Sequence, residues 1–160
     1  MNARHPAMHT THTVLGKSTD GLFQPACKDA VQTWNVHRVV FGGAVPTTQS
    51  LSLEGGKEFG TPNFLDRREL GVVNLGGNGR VLVDGEVQTL ANSDGLYVGM
   101  GKVSVSFESD DQANPAKFYI VSSPAHATYP TVHITRENAN SRKLGAPEIC
   151  NVRTIYQYVH

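Results

Sequence analysis

Phe64-Leu65-Asp66-Arg67-Arg68-Glu69-Leu70-Gly71 runs directly into Val72-Val73-Asn74-Leu75-Gly76-Gly77-Asn78-Gly79. Leu70 to Leu75 is mostly apolar, and the glycine cluster closes it. A short apolar run bounded by turn residues reads as a strand. The same pattern recurs on both sides. Val36 to Phe41 is β-branched and aromatic and stops at Gly42-Gly43. Gln49 to Leu53 alternates polar and apolar and stops at Gly55-Gly56. Val81-Leu82-Val83, Asp84-Gly85 and Glu86-Val87 spell a hairpin, because Asp-Gly accepts the positive φ angles of a type I′ turn. Lys102 to Phe107 alternates, with Val103, Val105 and Phe107 on one face, and Lys117 to Val121 and Val152 to Tyr158 are further strands. Helical periodicity is confined to about residues 21–31, where Pro25 weakens it. Many short strands with glycine-rich turns predict an all-β antiparallel barrel or sandwich. The expected organisation is an N-terminal arm over residues 1–35, a barrel over 36–123, and a C-terminal arm or connection over 124–160.

The chain has 160 residues, the length of one domain, and can bury a real core. Fourteen Lys plus Arg balance fourteen Asp plus Glu. With no net charge and no basic run, nothing draws nucleic acid. No apolar stretch approaches a membrane span, and the polar segment Met1 to Leu15 lacks the apolar middle of a signal peptide. The expected location is the cytoplasm, with Cys27 and Cys150 as reduced thiols. A disulfide between them stays open.

Arg67-Arg68-Glu69 is the first candidate site. The guanidinium fork matches a carboxylate, so this triplet is a candidate binder of a sugar acid. The alternative is an ion pair that orders a strand at the barrel edge. Among the seven histidines, His5, His9 and His12 share a terminal segment, and His37 sits inside a strand pattern. His133 and His160 have no evident partner. His126 lies with Tyr129 in the proline-bracketed segment Pro124-Ala125-His126-Ala127-Thr128-Tyr129-Pro130. An imidazole titrates near neutral pH, which makes His126 and Tyr129 candidate catalytic residues for proton transfer. A loop that merely caps the barrel is the competing reading.

Six residues separate Glu69 from Gly76. That spacing resembles the first metal motif of cupin barrels, in which two histidines stand just before the glutamate. Here those places hold Pro62 and Phe64, or Asn63 and Leu65. The histidine of the second motif falls on Tyr97 or Ser104. None of these is an imidazole, so no metal is expected in this barrel. Arg38-Val39-Val40-Phe41-Gly42-Gly43, Phe64 to Gly71, Gly95-Leu96-Tyr97-Val98-Gly99, Pro115 to Tyr119, Pro124 to Pro130 and Arg153-Thr154-Ile155 together resemble 5-keto-4-deoxyuronate isomerase, also called 4-deoxy-L-threo-5-hexosulose-uronate ketol-isomerase. The resemblance runs over nearly the whole chain. It implies one cupin-like jelly roll of a bicupin, matching the N-terminal half. It implies a ketol-isomerase of pectin and uronate breakdown, a small sugar-acid substrate, a hexameric homo-oligomer, and zinc. The family's zinc ligands belong to its second barrel, so they have no counterpart among these residues. A non-catalytic sugar-acid-binding or scaffold cupin is the competing hypothesis, and a metal-independent enzyme built on His126 and Tyr129 is a third.

Overall fold

The computed structural model describes residue 29 and residues 31–36, 38–57 and 59–158. His5, His9, His12, Cys27, His37 and His160 lie outside the described residues. So does nearly all of the expected helix, and Val31 at its end opens a strand.

Among the described residues twelve strands follow one another: β1 (Val31–Val36), β2 (Val39–Ala44), β3 (Leu51–Ser52), β4 (Arg68–Asn74), β5 (Gly79–Val83), β6 (Glu86–Leu90), β7 (Gly95–Val98), β8 (Val105–Ser109), β9 (Phe118–Pro124), β10 (Val132–Ile134), β11 (Asn140–Leu144) and β12 (Arg153–Gln157). They form a six-stranded sheet in the order β1-β2-β9-β4-β7-β10, a four-stranded sheet in the order β3-β8-β5-β6, and a separate ribbon β11-β12. All pairings are antiparallel. The described residues contain no α-helix, only a 3-10 turn at Pro147–Ile149. The fold is all-β and cupin-like.

The two large sheets face each other across one core. The six-stranded sheet contributes Leu70, Val72, Leu96, Val98 and Ile120, and the four-stranded sheet contributes Val81, Val83 and Phe107. Phe107 and Phe118 meet between the sheets with ring centroids 5.3 Å apart. Alternation in β4 puts Leu70, Val72 and Asn74 inward, and Gly71 and Val73 outward with only partial burial.

Most of the expected strands form, with shifted limits. Asp84 (φ 51°) and Gly85 (φ 86°) make the tight turn between β5 and β6 that the Asp-Gly pair predicts. Val36 to Phe41 is divided instead: β1 ends at Val36 and β2 begins at Val39, and the two pair as a hairpin. The strand expected over Lys102 to Phe107 starts only at Val105. The Asp84 carboxylate accepts the Val103 and Ser104 backbone N–H groups, both at 2.9 Å, which holds that segment in a turn. Val103 is consequently exposed while Val105 and Phe107 are buried. The ribbon β11-β12 has no burial pattern at all: every residue is exposed except Gln157.

Candidate functional site

Residue parity in β4 places Glu69. Leu70 faces the core, so Glu69 points to the outer face of the six-stranded sheet. Its cross-strand neighbour on β9 is Ser123, whose hydroxyl donates to Glu69 Oε1 at 3.0 Å. On the other side, β7 pairs Tyr97 with Gly71 and so sends Tyr97 outward too. The Tyr97 hydroxyl donates to Glu69 Oε2 at 2.8 Å. Burial, together with the Glu69 hydrogen bond and charge, pushes the Tyr97 hydroxyl up to about 12.

An open cleft of about 980 Å³ covers this outer face, with Glu69, Tyr97, His126, Tyr129, Asn138 and Tyr158 in its walls. Gly95 and Gly99 flank Tyr97 on the same side of β7. A Cβ at Gly95 would fall 2.6 Å from the Tyr158 ring, and one at Gly99 would strike the Tyr129 backbone. The two glycines therefore let the 126–130 segment and Tyr158 lie close against the strand. Three tyrosines line the cleft, with Tyr97 on β7 between the approaches of Tyr129 and Tyr158. The Tyr158 hydroxyl donates to the Ser93 carbonyl, and His133 Nε2 lies 3.2 Å from Asp94 Oδ2, so the 92–94 turn anchors both β10 and the end of β12.

The structure thus brings Glu69, His126 and Tyr129 into one cleft and leaves Arg67 and Arg68 out of its lining. Arg68 has the parity of Leu70 and reaches over the inner end of the barrel. Its guanidinium carbon lies 6.0 Å and 5.9 Å from the ring centroids of Phe59 and Phe64. Nε donates to Ser122 Oγ at 3.1 Å, and Nη2 donates to the Arg38 and Ser122 carbonyls at 2.8 Å and 2.9 Å. Burial lowers its pKa. No ion pair joins Arg67 or Arg68 to Glu69 among the described residues; for Arg68 the reason is that adjacent strand residues point to opposite faces. Arg67 is exposed, and its carbonyl accepts the Ala125 N–H at 3.0 Å. His126 is exposed and Tyr129 is half-exposed, and no described residue hydrogen-bonds either side chain.

Zinc does not fit the motif positions. Phe64 and Leu65 are core residues, and Asn63 is tied to Asp66 through two hydrogen bonds of 3.0 Å. Glu69 faces away from the barrel interior, and Tyr97 is a bound, protonated phenol rather than an imidazole. Among the described residues no group of three or more His, Cys, Asp or Glu side chains converges. Tyr97 and Tyr158 were not legible as cleft residues from motif spacing. The alternation Gly95-Leu96-Tyr97-Val98-Gly99 was the available signal, since it sets a tyrosine between two glycines on one face.

Over residues 22–160 the chain matches the KduI/IolB family. It is 50% identical over 122 residues to a protein of Lacticaseibacillus paracasei named 4-deoxy-L-threo-5-hexosulose-uronate ketol-isomerase, covering 76% of this chain and 43% of that one. It is 46% identical over 141 residues to a protein of the same name from Caldicellulosiruptor bescii, covering 88% and 51% respectively. The chain therefore spans about half the length of these relatives. Among solved structures, an IolB-like protein from Salmonella typhimurium shares the fold with a TM-score of 0.59 at 14% identity, over 80% of this chain and 49% of that one. With the family match spanning residues 22–160, this chain belongs to the KduI/IolB family.

Proposed function

We propose that this chain is one barrel of a 4-deoxy-L-threo-5-hexosulose-uronate ketol-isomerase, and that a second barrel completes the catalytic site. The reaction would interconvert 5-dehydro-4-deoxy-D-glucuronate and 3-deoxy-D-glycero-2,5-hexodiulosonate. A ketol isomerisation removes a proton from the hydroxyl-bearing carbon and returns one to the former carbonyl carbon. The enediolate between those steps needs an electrophile at its oxygens. The observation that carries the reading is the direction of Glu69. The inward positions beside it are Arg68 and Leu70, so the described residues of this barrel offer no donor set for such an electrophile. Zinc, implied by the family resemblance, is assigned to the second barrel.

Proton transfer is assigned to the second barrel as well. His126 and Tyr129 act here as walls of the outer cleft, since nothing described fixes either side chain as a proton carrier needs. Arg68 orders β4 and β9. Arg67 is left as the exposed member of the pair, able to meet a sugar-acid carboxylate. The assembly is a homo-oligomer, hexameric in the resembled family, working in the cytoplasm. The second reading, a non-catalytic sugar-acid-binding or scaffold cupin, is favoured by the cleft itself, in which no metal donor set converges among the described residues.

The test is turnover of 5-dehydro-4-deoxy-D-glucuronate by the purified chain in the presence of a chelator. None is expected. Adding the remaining half of the Lacticaseibacillus paracasei relative, with zinc, should restore it. Turnover by this chain alone under chelation overturns the assignment.

A further inference from the structure

We infer that the outer cleft over Glu69, Tyr97 and Tyr129 binds an uncharged sugar ring through a pair of neighbouring hydroxyls. The inference concerns this barrel alone and stands whether or not a second barrel completes an isomerase.

The chemistry of the cleft selects the ligand. A carboxylate offers about four acceptor sites, and Tyr97 and Ser123 each use one oxygen of Glu69. Both hydroxyls also fix the carboxylate in place, which spares a ligand the ordering of that group. The remaining acceptor sites match two adjacent hydroxyl donors. Tyr129 is 51% exposed, so its ring offers a flat apolar face at the cleft wall. An aromatic face beside a hydroxyl acceptor suits a sugar ring, which has an apolar face and a polar rim. The volume of about 980 Å³ admits a monosaccharide with room to spare.

Charge disfavours an anionic sugar. No Lys or Arg lines the cleft among the described residues, and Glu69 is its one carboxylate. A uronate would bring a second negative charge to a partly buried carboxylate with no Lys or Arg in the described lining to offset it. A cationic amine has the opposite attraction, and it is the competitor the experiment must separate.

The experiment is a calorimetric titration of the 160-residue chain at neutral pH with three aldohexoses (D-glucose, D-galactose, D-mannose), D-galacturonate and D-glucosamine. At least one aldohexose should saturate with a Kd on the order of millimolar, and galacturonate should bind at least about 10-fold more weakly than galactose. Tyr129→Ala should weaken the best aldohexose about 10-fold, and Tyr129→Phe should leave it within about 2-fold, since the ring rather than the hydroxyl is used. Glu69→Gln should weaken the aldohexose while narrowing the galactose-to-galacturonate gap to under about 3-fold. Saturation by none of the aldohexoses overturns the inference. So does galacturonate binding as tightly as galactose, or glucosamine binding about 10-fold tighter than the aldohexoses, which would make the cleft a cation site. None of these outcomes bears on turnover, so the isomerase proposal is judged separately.

Discussion

Asn74 should be the most consequential polar residue in the barrel, and Asn74→Ala is the substitution that tests it. The residue closes β4 and is fully buried. Its Nδ2 donates to the carbonyls of Gly77, Leu90 and Ala91 at 2.8, 3.0 and 3.2 Å. Its Oδ1 accepts the N–H groups of Gly76 and Lys117 at 3.0 and 3.2 Å. One amide thus ties the glycine loop, the end of β6 and the start of β9. Truncation leaves these groups in unequal positions. Ala91 and Lys117 are exposed, so water can replace the lost bond there, whereas Gly77 and Leu90 are buried. Two buried carbonyls left without the amide, plus the half-buried Gly76 N–H, cost about 3 kcal/mol together. For a chain of this length that corresponds to a fall in melting temperature of roughly 6–12 °C. Thermal unfolding followed by circular dichroism gives the number. Asn92→Ala is the control, because its Nδ2 also bonds the loop, at Gly76 O (2.9 Å), but from an exposed site. It should cost under about 0.5 kcal/mol. A loss below about 1 kcal/mol for Asn74→Ala would refute the reasoning, since it would mean that water or local rearrangement satisfies the buried carbonyls.

Two more outcomes follow from the arginine pair and the cleft. Arg68→Ala removes three hydrogen bonds and the cover over Phe59 and Phe64 and should cost about 2–3 kcal/mol, while Arg67→Ala should stay within about 0.5 kcal/mol; calorimetric melting of both variants checks the contrast. The Tyr97 hydroxyl ionises at 10.0 in the unfolded chain and at about 12 in the fold, so its contribution is whole below pH 10.0 and lost as pH rises toward about 12. Urea midpoints measured across that range should fall in the wild type and fall less in Tyr97→Phe; identical alkaline slopes would count against the upward shift that burial and Glu69 together give Tyr97.

The sequence was legible where local chemistry and tertiary structure agree. Asp84-Gly85 fixes the turn between β5 and β6 by itself, because few other pairs take two positive φ angles. The direction of Glu69 was not legible. Motif spacing counts residues and carries no face, and Gly71 and Val73 blur the alternation that would have assigned one. The turn at Lys102 to Ser104 was hidden for another reason: its alternation is real, but a carboxylate nineteen and twenty residues away captures the two backbone donors. Strand β11, Asn140-Ser141-Arg142-Lys143-Leu144, gave no signal because it buries nothing; pairing with β12 alone makes it a strand. The Tyr97–Glu69 bond joins residues 28 apart, and only the pairing of β4 with β7 brings them together.

The outward aim of Glu69 also sets how far this barrel stands from a metalloprotein in mutational terms. Histidines substituted at outward positions would decorate the surface of the sheet and converge on nothing inside it. The inward positions nearby, Leu70, Val98 and Ser122, are among the most buried of the described residues, so a ligand there begins by opening the core. Sliding β4 by one residue would turn Glu69 inward, but it would expose Leu70 and Val72 and break the Asn74 network in the same step. A designer or a lineage seeking metal chemistry here would have to cross a stability valley, and a surface site on the outer cleft is the shorter route to a new activity.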